Sequence, residues 1–228
     1  TSTDGVYFNG RRVDDGDCSG PKSAKRVLMN PNIDAAVLET ARGGIIREGL
    51  AFDKCDVAVV TNIGEGDHLG LNGINTIEQL AKVKRCIVDV VDPSGYAVLN
   101  AEDPLVVEMA NHCKGHVLFF SQDPNHPIII AHRQKGGRVI FIRDNNIVSA
   151  QGQNEVTILP LERIPMTHGG KIRFQVENAM AALGAALVQG IPVELIRAGL
   201  ESFNSNSAAS PGRFNIVQYN QCTLIIDC

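Results

Sequence analysis

Short apolar runs bounded by polar or glycine-rich stretches recur along the chain, and their period changes from one to the next. Residues 33–39 (IDAAVLE) are mostly apolar and end on a carboxylate. Residues 56–62 (DVAVVTN) are apolar through their middle and end at Asn62. Both are short, and the second is β-branched, the pattern of strands buried in a parallel sheet. Between them residues 42–44 read as a loop and 45–52 as a short helix. Residues 62–70 then form a polar, glycine-rich loop. Residues 76–91 switch to helical spacing, with Thr76 at the N-cap and Ile77, Leu80, Val83, Lys84 and Ile87 in period. Asp92-Pro93-Ser94-Gly95 stops that helix. Residues 96–100 read as a further buried strand, Asp103-Pro104 opens a helix to about 113, and 116–120 read as the next strand.

The flanks follow the same logic. Residues 6–12 predict a small strand and turn, with Asn9-Gly10 as the hairpin signal. After the polar loop 14–20, Pro21 occupies a first helical position, and the helix runs to 29. Residues 128–131, 137–143 and 146–159 alternate short β-runs with turns at Gly136-Gly137 and Asp144-Asn145-Asn146. Residues 160–170 read as a linker, 174–190 as an alanine-rich helix, 192–203 as another helix, and 205–212 as a loop. The predicted fold is α/β: a mostly parallel sheet flanked by helices, with a small antiparallel β excursion.

Composition narrows the classes. Of 228 residues, 44% are hydrophobic and 20% charged, with a net charge of −4, so no polybasic surface for nucleic acid or membrane is expected. No apolar run approaches the roughly 20 residues that span a bilayer, and no signal peptide opens the chain. The six cysteines show no metal spacing, so reduced thiols and a cytoplasmic location are expected. His112 and His116 read as surface histidines.

In an open α/β sheet, ligands bind beyond the carboxyl ends of the strands. Glu39 and the loop 62–68 both fall at such ends. A carboxylate and an imidazole there can share a divalent metal, with Asp67 placed to orient His68. Arg42, beside Gly43 and Gly44, suits a carboxylate or phosphate, or is a surface arginine in a tight turn. Lys84 is otherwise a solvated helix lysine, and Asn178 a polar residue near a helix start.

TARGGIIREGL (40–50), TNIGEGDHLG (61–70), INTIEQLAKVK (74–84) and GYAVLNAEDPL (95–105) together carry a resemblance. The chain resembles the Mur-ligase-like part of the cyanophycin synthetases, within the wider group of ATP-dependent Mur ligases and folylpolyglutamate synthetases. The resemblance covers essentially the whole chain. It implies ATP and magnesium, with Glu39 and His68 on the metal and Lys84, carbamylated in many members, as a catalytic-site residue beside Arg42. It also implies Asn178 on the adenine, Arg213 on nucleotide phosphates, and Asp227 from the segment opening a C-terminal domain. Thr1, Ser2 and Thr3 would lie near the acceptor. The implied reaction joins arginine to the aspartate backbone of cyanophycin, in a homo-oligomer. The alternatives are a cell-wall Mur ligase, a folylpolyglutamate synthetase, or a non-catalytic nucleotide-binding module.

The chain opens on Thr1 without an initiator Met and stops at Cys228 directly after a strand. A fragment is therefore expected, with the group's phosphate-binding loop upstream. Residues 1–223 are expected to be the central ATPase domain and 224–228 the start of the C-terminal ligase domain.

Overall fold

A computed structural model describes residues 1–64, 69–204, 212–220 and 222–227. They fall into two compact units, Thr1–Leu99 with Asp103–Val117, and Asn100–Glu102 with Leu118–Cys228.

The first unit opens with a hairpin of β1 (Gly5–Phe8) and β2 (Arg11–Asp15). Asn9 and Gly10 turn it at φ 48° and 76°, the left-handed pair that a two-residue hairpin requires. Helix α1 (Pro21–Leu28) starts on its proline, and α2 spans Arg42–Glu48. Strand β3 (Cys55–Val60) pairs in parallel with β4 (Val91–Asn100). Between them runs α3 (Ile77–Asp89), closed at its start by a capping box. The Thr76 hydroxyl accepts from the Gln79 amide at 3.3 Å, and the Gln79 side chain accepts from the Thr76 amide at 3.2 Å. Helix α4 (Pro104–Met109) follows and tightens into a 3-10 turn at Ala110–His112. Both His112 and His116 are exposed.

The second unit carries β5 (His116–Ser121) from Leu118 onward, α5 (Pro127–Gln134), and the meander β6 (Arg138–Arg143), β7 (Asn146–Gln151) and β8 (Asn154–Pro160). Helices α6 (Arg173–Val188) and α7 (Val193–Ser202) follow, then a hairpin of β9 (Asn215–Tyr219) and β10 (Cys222–Ile226). In the first unit β3 and β4 pair, and in the second β5-β6-β7-β8 are hydrogen-bonded in that order. The sheet is mixed: β5 pairs in parallel with β6, and β6–β7 and β7–β8 are antiparallel, the expected excursion. Ala97, Val98 and Leu99 on β4 and Phe120 on β5 are fully buried, as strands covered on both faces require.

Three elements differ from the sequence reading. Residues 33–39 form no strand. Beyond local turns (the Ile33 amide to the Asn30 carbonyl, 3.2 Å), their backbone bonds run to Thr1, whose amino group donates to the Val37 carbonyl (2.8 Å) and whose carbonyl accepts from the Glu39 amide (3.0 Å). One partner residue makes no ladder, and Val37 stays 89% exposed. Residues 128–131 are helical, within α5. Pro127 pre-sets the first helical φ, and the run Ile128-Ile129-Ile130 buries only its middle member fully. Arg42-Gly43-Gly44 is the first turn of α2 rather than a loop, and the helix ends at Glu48, short of 52. The close approach of α1 explains Gly44. A Cβ there would lie 2.8 Å from Pro21 Cδ and 3.2 Å from Gly20 Cα.

Candidate active site

Glu39 is held by its neighbours at the chain start. The Thr3 amide and hydroxyl donate to its two oxygens at 2.9 and 2.8 Å. An ionised carboxylate only accepts, so this pair fixes its orientation and leaves lone pairs free. Such oxygens suit a hard cation. His68 and Asp67 lie outside the described residues. Among the described residues no cluster of three or more His, Cys, Asp or Glu side chains forms a metal cage. Of the expected metal pair, then, Glu39 alone is placed.

Past the end of β3, the backbone at Asn62 and Ile63 meets Lys84 from α3. The lysine amine donates to the Asn62 carbonyl at 3.3 Å and to the Ile63 carbonyl at 3.1 Å. Lys84 is thereby tied to a strand's carboxyl end, where ligands bind in such folds. Asp103, the N-cap of α4, reaches the same backbone. One of its oxygens accepts from the Leu105 and Val106 amides (2.9 and 3.3 Å), and the other from the Ile63 amide at 2.8 Å. Sequence reading assigned Asp103 only to a helix start. The Asp-Pro pair signalled the cap, but nothing local signalled the bond 40 residues away. Arg42 is half-buried at the start of α2.

In the second unit a polar network surrounds the beginning of α6. Glu102 accepts from the Ser121 hydroxyl (3.0 Å) and the Gln122 amide (2.7 Å), and pairs with Arg173 at 3.6 Å. The Gln122 side chain donates to Glu177 at 2.8 Å. Burial, reinforced by the nearby Glu102 charge, pushes the Glu177 carboxyl above its ordinary range. Next to it Asn178 is exposed and donates to the Gln175 side chain at 3.3 Å. Near the β9–β10 hairpin, Asp227 accepts from the Phe214 amide at 3.2 Å, which brings it beside the exposed Arg213. Phe214 also packs edge-on against Phe174 of α6, with ring centroids 5.1 Å apart. Asp227 is thus held at the backbone of the residue that follows Arg213.

The profile of the Mur ligase middle domain matches residues 17–186. The chain belongs to the Mur ligase middle-domain family. That matched span of the Mur ligase middle domain contains Glu39, Arg42, Lys84 and Asn178, and leaves out Arg213 and Asp227. The chain is 47% identical over 227 residues to a cyanophycin synthetase from Synechocystis sp., and 46% to one from Geminocystis herdmanii. Each match covers all of this chain and 26% of the relative. It is 31% identical over 152 residues to a UDP-N-acetylmuramoylalanine–D-glutamate ligase from Symbiobacterium thermophilum, covering 64% of this chain and 29% of that one. A crystal structure of MurF from Acinetobacter baumannii superposes with a TM-score of 0.53 at 23% identity, over 76% of this chain and 34% of that one. That likeness concerns the fold. The Mur ligase middle domain described here spans about a quarter of the length of the cyanophycin synthetases it matches. No described helix is long and apolar enough to cross a membrane.

Proposed function

We propose that this chain is the Mur-type part of an ATP-dependent carboxylate–amine ligase that makes cyanophycin. The reading is carried by the 47% identity, over the length of the chain, to a cyanophycin synthetase, against 31% over 152 residues for the muramoylalanine ligase. In the reaction, an oxygen of an aspartate β-carboxylate attacks the γ-phosphorus of ATP and ADP leaves, giving an acyl phosphate. The α-amine of arginine then attacks the acyl carbon. An amide forms, phosphate departs, and the amine's extra proton passes to solvent or a base.

The chain's own residues divide this work. Glu39, fixed by Thr3, offers oxygens to a divalent metal, with His68 as its partner. Magnesium at that place would neutralise charge developing on the transferred phosphoryl group. Lys84, tied to the β3 end, and Arg42, at the start of α2, hold the acceptor carboxylate and phosphoryl oxygens in line. Electrostatic positioning of this kind supplies most of the catalysis in phosphoryl transfer. Asn178 takes the adenine edge, and Arg213 with Asp227 takes the rest of the nucleotide.

The test uses the longer polypeptide that carries this chain. Phosphate release from ATP is measured with a cyanophycin primer, with and without arginine. A parallel reaction contains UDP-N-acetylmuramoylalanine and D-glutamate. Release that requires both arginine and the primer is the expected result. Release that requires the muramoyl substrate and D-glutamate instead assigns the chain to a cell-wall ligase. Absence of both signals, with ATP still bound, leaves a nucleotide-binding module.

A further inference from the structure

The Asn62–Ile63 peptide group is bonded on both sides. Its N–H donates to Asp103 Oδ2 at 2.8 Å, and its carbonyl accepts from the Lys84 amine at 3.3 Å. A carboxylate, one peptide unit and a lysine amine therefore lie in series. Each bond polarises the next, because an amide whose N–H is drawn toward a negative charge has a more negative oxygen. The Ile63 side chain, 1% exposed, anchors this backbone from below. A second bond, from Lys84 to the Ile63 carbonyl at 3.1 Å, fixes the lysine to the adjoining peptide as well.

We propose that Asp103 is a positioning residue for Lys84, acting through the Asn62–Ile63 peptide. The inference rests on the reading of Lys84 as part of the ligase site. Capping α4 alone uses Asp103 Oδ1, which accepts from Leu105 and Val106. The other oxygen is committed to a bond that reaches the strand end next to Lys84, and that bond is what an ordinary N-cap lacks.

Asp103→Asn separates the two tasks. Asparagine caps helices about as well as aspartate. Its second group, however, is an NH2 that cannot accept from the Ile63 amide, so donor would face donor. Asp103→Ser keeps a capping hydroxyl but is too short to reach Ile63. In the longer polypeptide both variants should melt within a few degrees of the parent. The Ile63 amide should exchange with deuterium faster, and Lys84 should react at a changed rate with an amine-acylating reagent. In arginine-dependent turnover kcat should fall on the order of 10-fold, as expected when a bond to a charged group is lost, with the KM for arginine unchanged.

The decisive comparison is a double-mutant cycle with Lys84→Ala. If Asp103 works through Lys84, Asp103→Asn costs little further in the Lys84→Ala background. An equal fractional loss in both backgrounds overturns the proposal, because a general structural defect would act independently of the lysine. Unchanged Lys84 acylation in Asp103→Asn and Asp103→Ser overturns it too. If neither variant folds, exchange at Ile63 in the parent decides: an amide exchanging as fast as an unprotected one overturns the proposal, and a protected one supports it. The acylation and exchange readouts need no turnover. A parent without arginine-dependent activity therefore refutes the ligase reading while leaving the Asp103–Lys84 linkage measurable.

Discussion

Lys84 has two chemical forms open to it. As an amine it donates to the Asn62 and Ile63 carbonyls. As a carbamate it would keep one N–H for such a bond and turn a carboxylate toward a metal, which prefers oxygen. The two forms predict opposite outcomes in variants of the longer polypeptide. If the carbamate is the working form, Lys84→Ala loses ligation and regains part of it with short carboxylic acids, which occupy the vacated space. Lys84→Arg then stays inactive, because a guanidinium cannot carry the carboxylate. Arginine-dependent phosphate release close to the parent's in Lys84→Arg would show that positive charge alone is required. Glu177 gives a second prediction, for stability. Burial raises its carboxyl, so the folded state keeps a proton that the unfolded state has released at its ordinary value of 4.5. Its contribution is fully present below that value and is lost as pH rises through the raised folded value. Glu177→Gln keeps an oxygen to accept from Gln122 and removes the buried charge. Its urea midpoint should exceed the parent's at pH 7, and the gap should close as pH falls toward 4.5. A gap independent of pH would mean that burial of charge is not the cause.

Helix packing in the first unit turns on two adjacent glycines that differ in their surroundings. At Gly44 a methyl group would meet the rigid ring of Pro21 at 2.8 Å and the Gly20 backbone at 3.2 Å. At Gly43 the nearest atoms belong to the flexible end of Arg47, at 3.1 Å. Alanine gains up to about 1 kcal/mol in helix propensity at either position, while overpacking costs about 1–3 kcal/mol where neighbours cannot yield. The clash wins at Gly44 and not at Gly43. Gly44→Ala should lower the thermal midpoint by several degrees, and Gly43→Ala should leave it unchanged or raise it. Equal effects would show that α1 and α2 can move apart freely. The same elements show what was legible in sequence. Asn9-Gly10, Pro21 and the Thr76 cap carry local chemistry that survives without tertiary context, and their elements formed as read. The run 33–39 had the composition of a strand, but pairing is not a local property, and beyond local turns its backbone bonds only Thr1. Pro127 signalled a helix start that the β-branched isoleucines concealed. Near the end of β3, the position of Lys84 on α3 was legible from helical spacing, whereas the Asp103–Ile63 bond depends on how the chain returns after β4, which no spacing encodes.

At the scale of the whole molecule, the chain supplies candidate cations and a carboxylate. Arg42, Lys84 and Arg213 are spread over α2, α3 and the loop before β9. Phosphoryl transfer also depends on backbone amides wrapped around the β- and γ-phosphates, and nucleotide-binding loops provide these through a G-x-x-x-x-G-K-[ST] pattern. That pattern occurs nowhere in the 228 residues. Isolated side-chain cations cannot replace it, because each must give up its own freedom and hydration to hold one oxygen. Amides in a loop are already oriented. The cyanophycin synthetases matched here are about four times as long as this stretch, so their activity need not reside in it. Residues 1–228 expressed alone, with ATP, magnesium, arginine and a cyanophycin primer, should therefore release phosphate no faster than a protein-free control. The longer polypeptide should release it in an arginine-dependent way. Arginine-dependent release by residues 1–228 alone would place the phosphate cradle within this stretch, with Arg42 and the first turn of α2 as the region to mutate next.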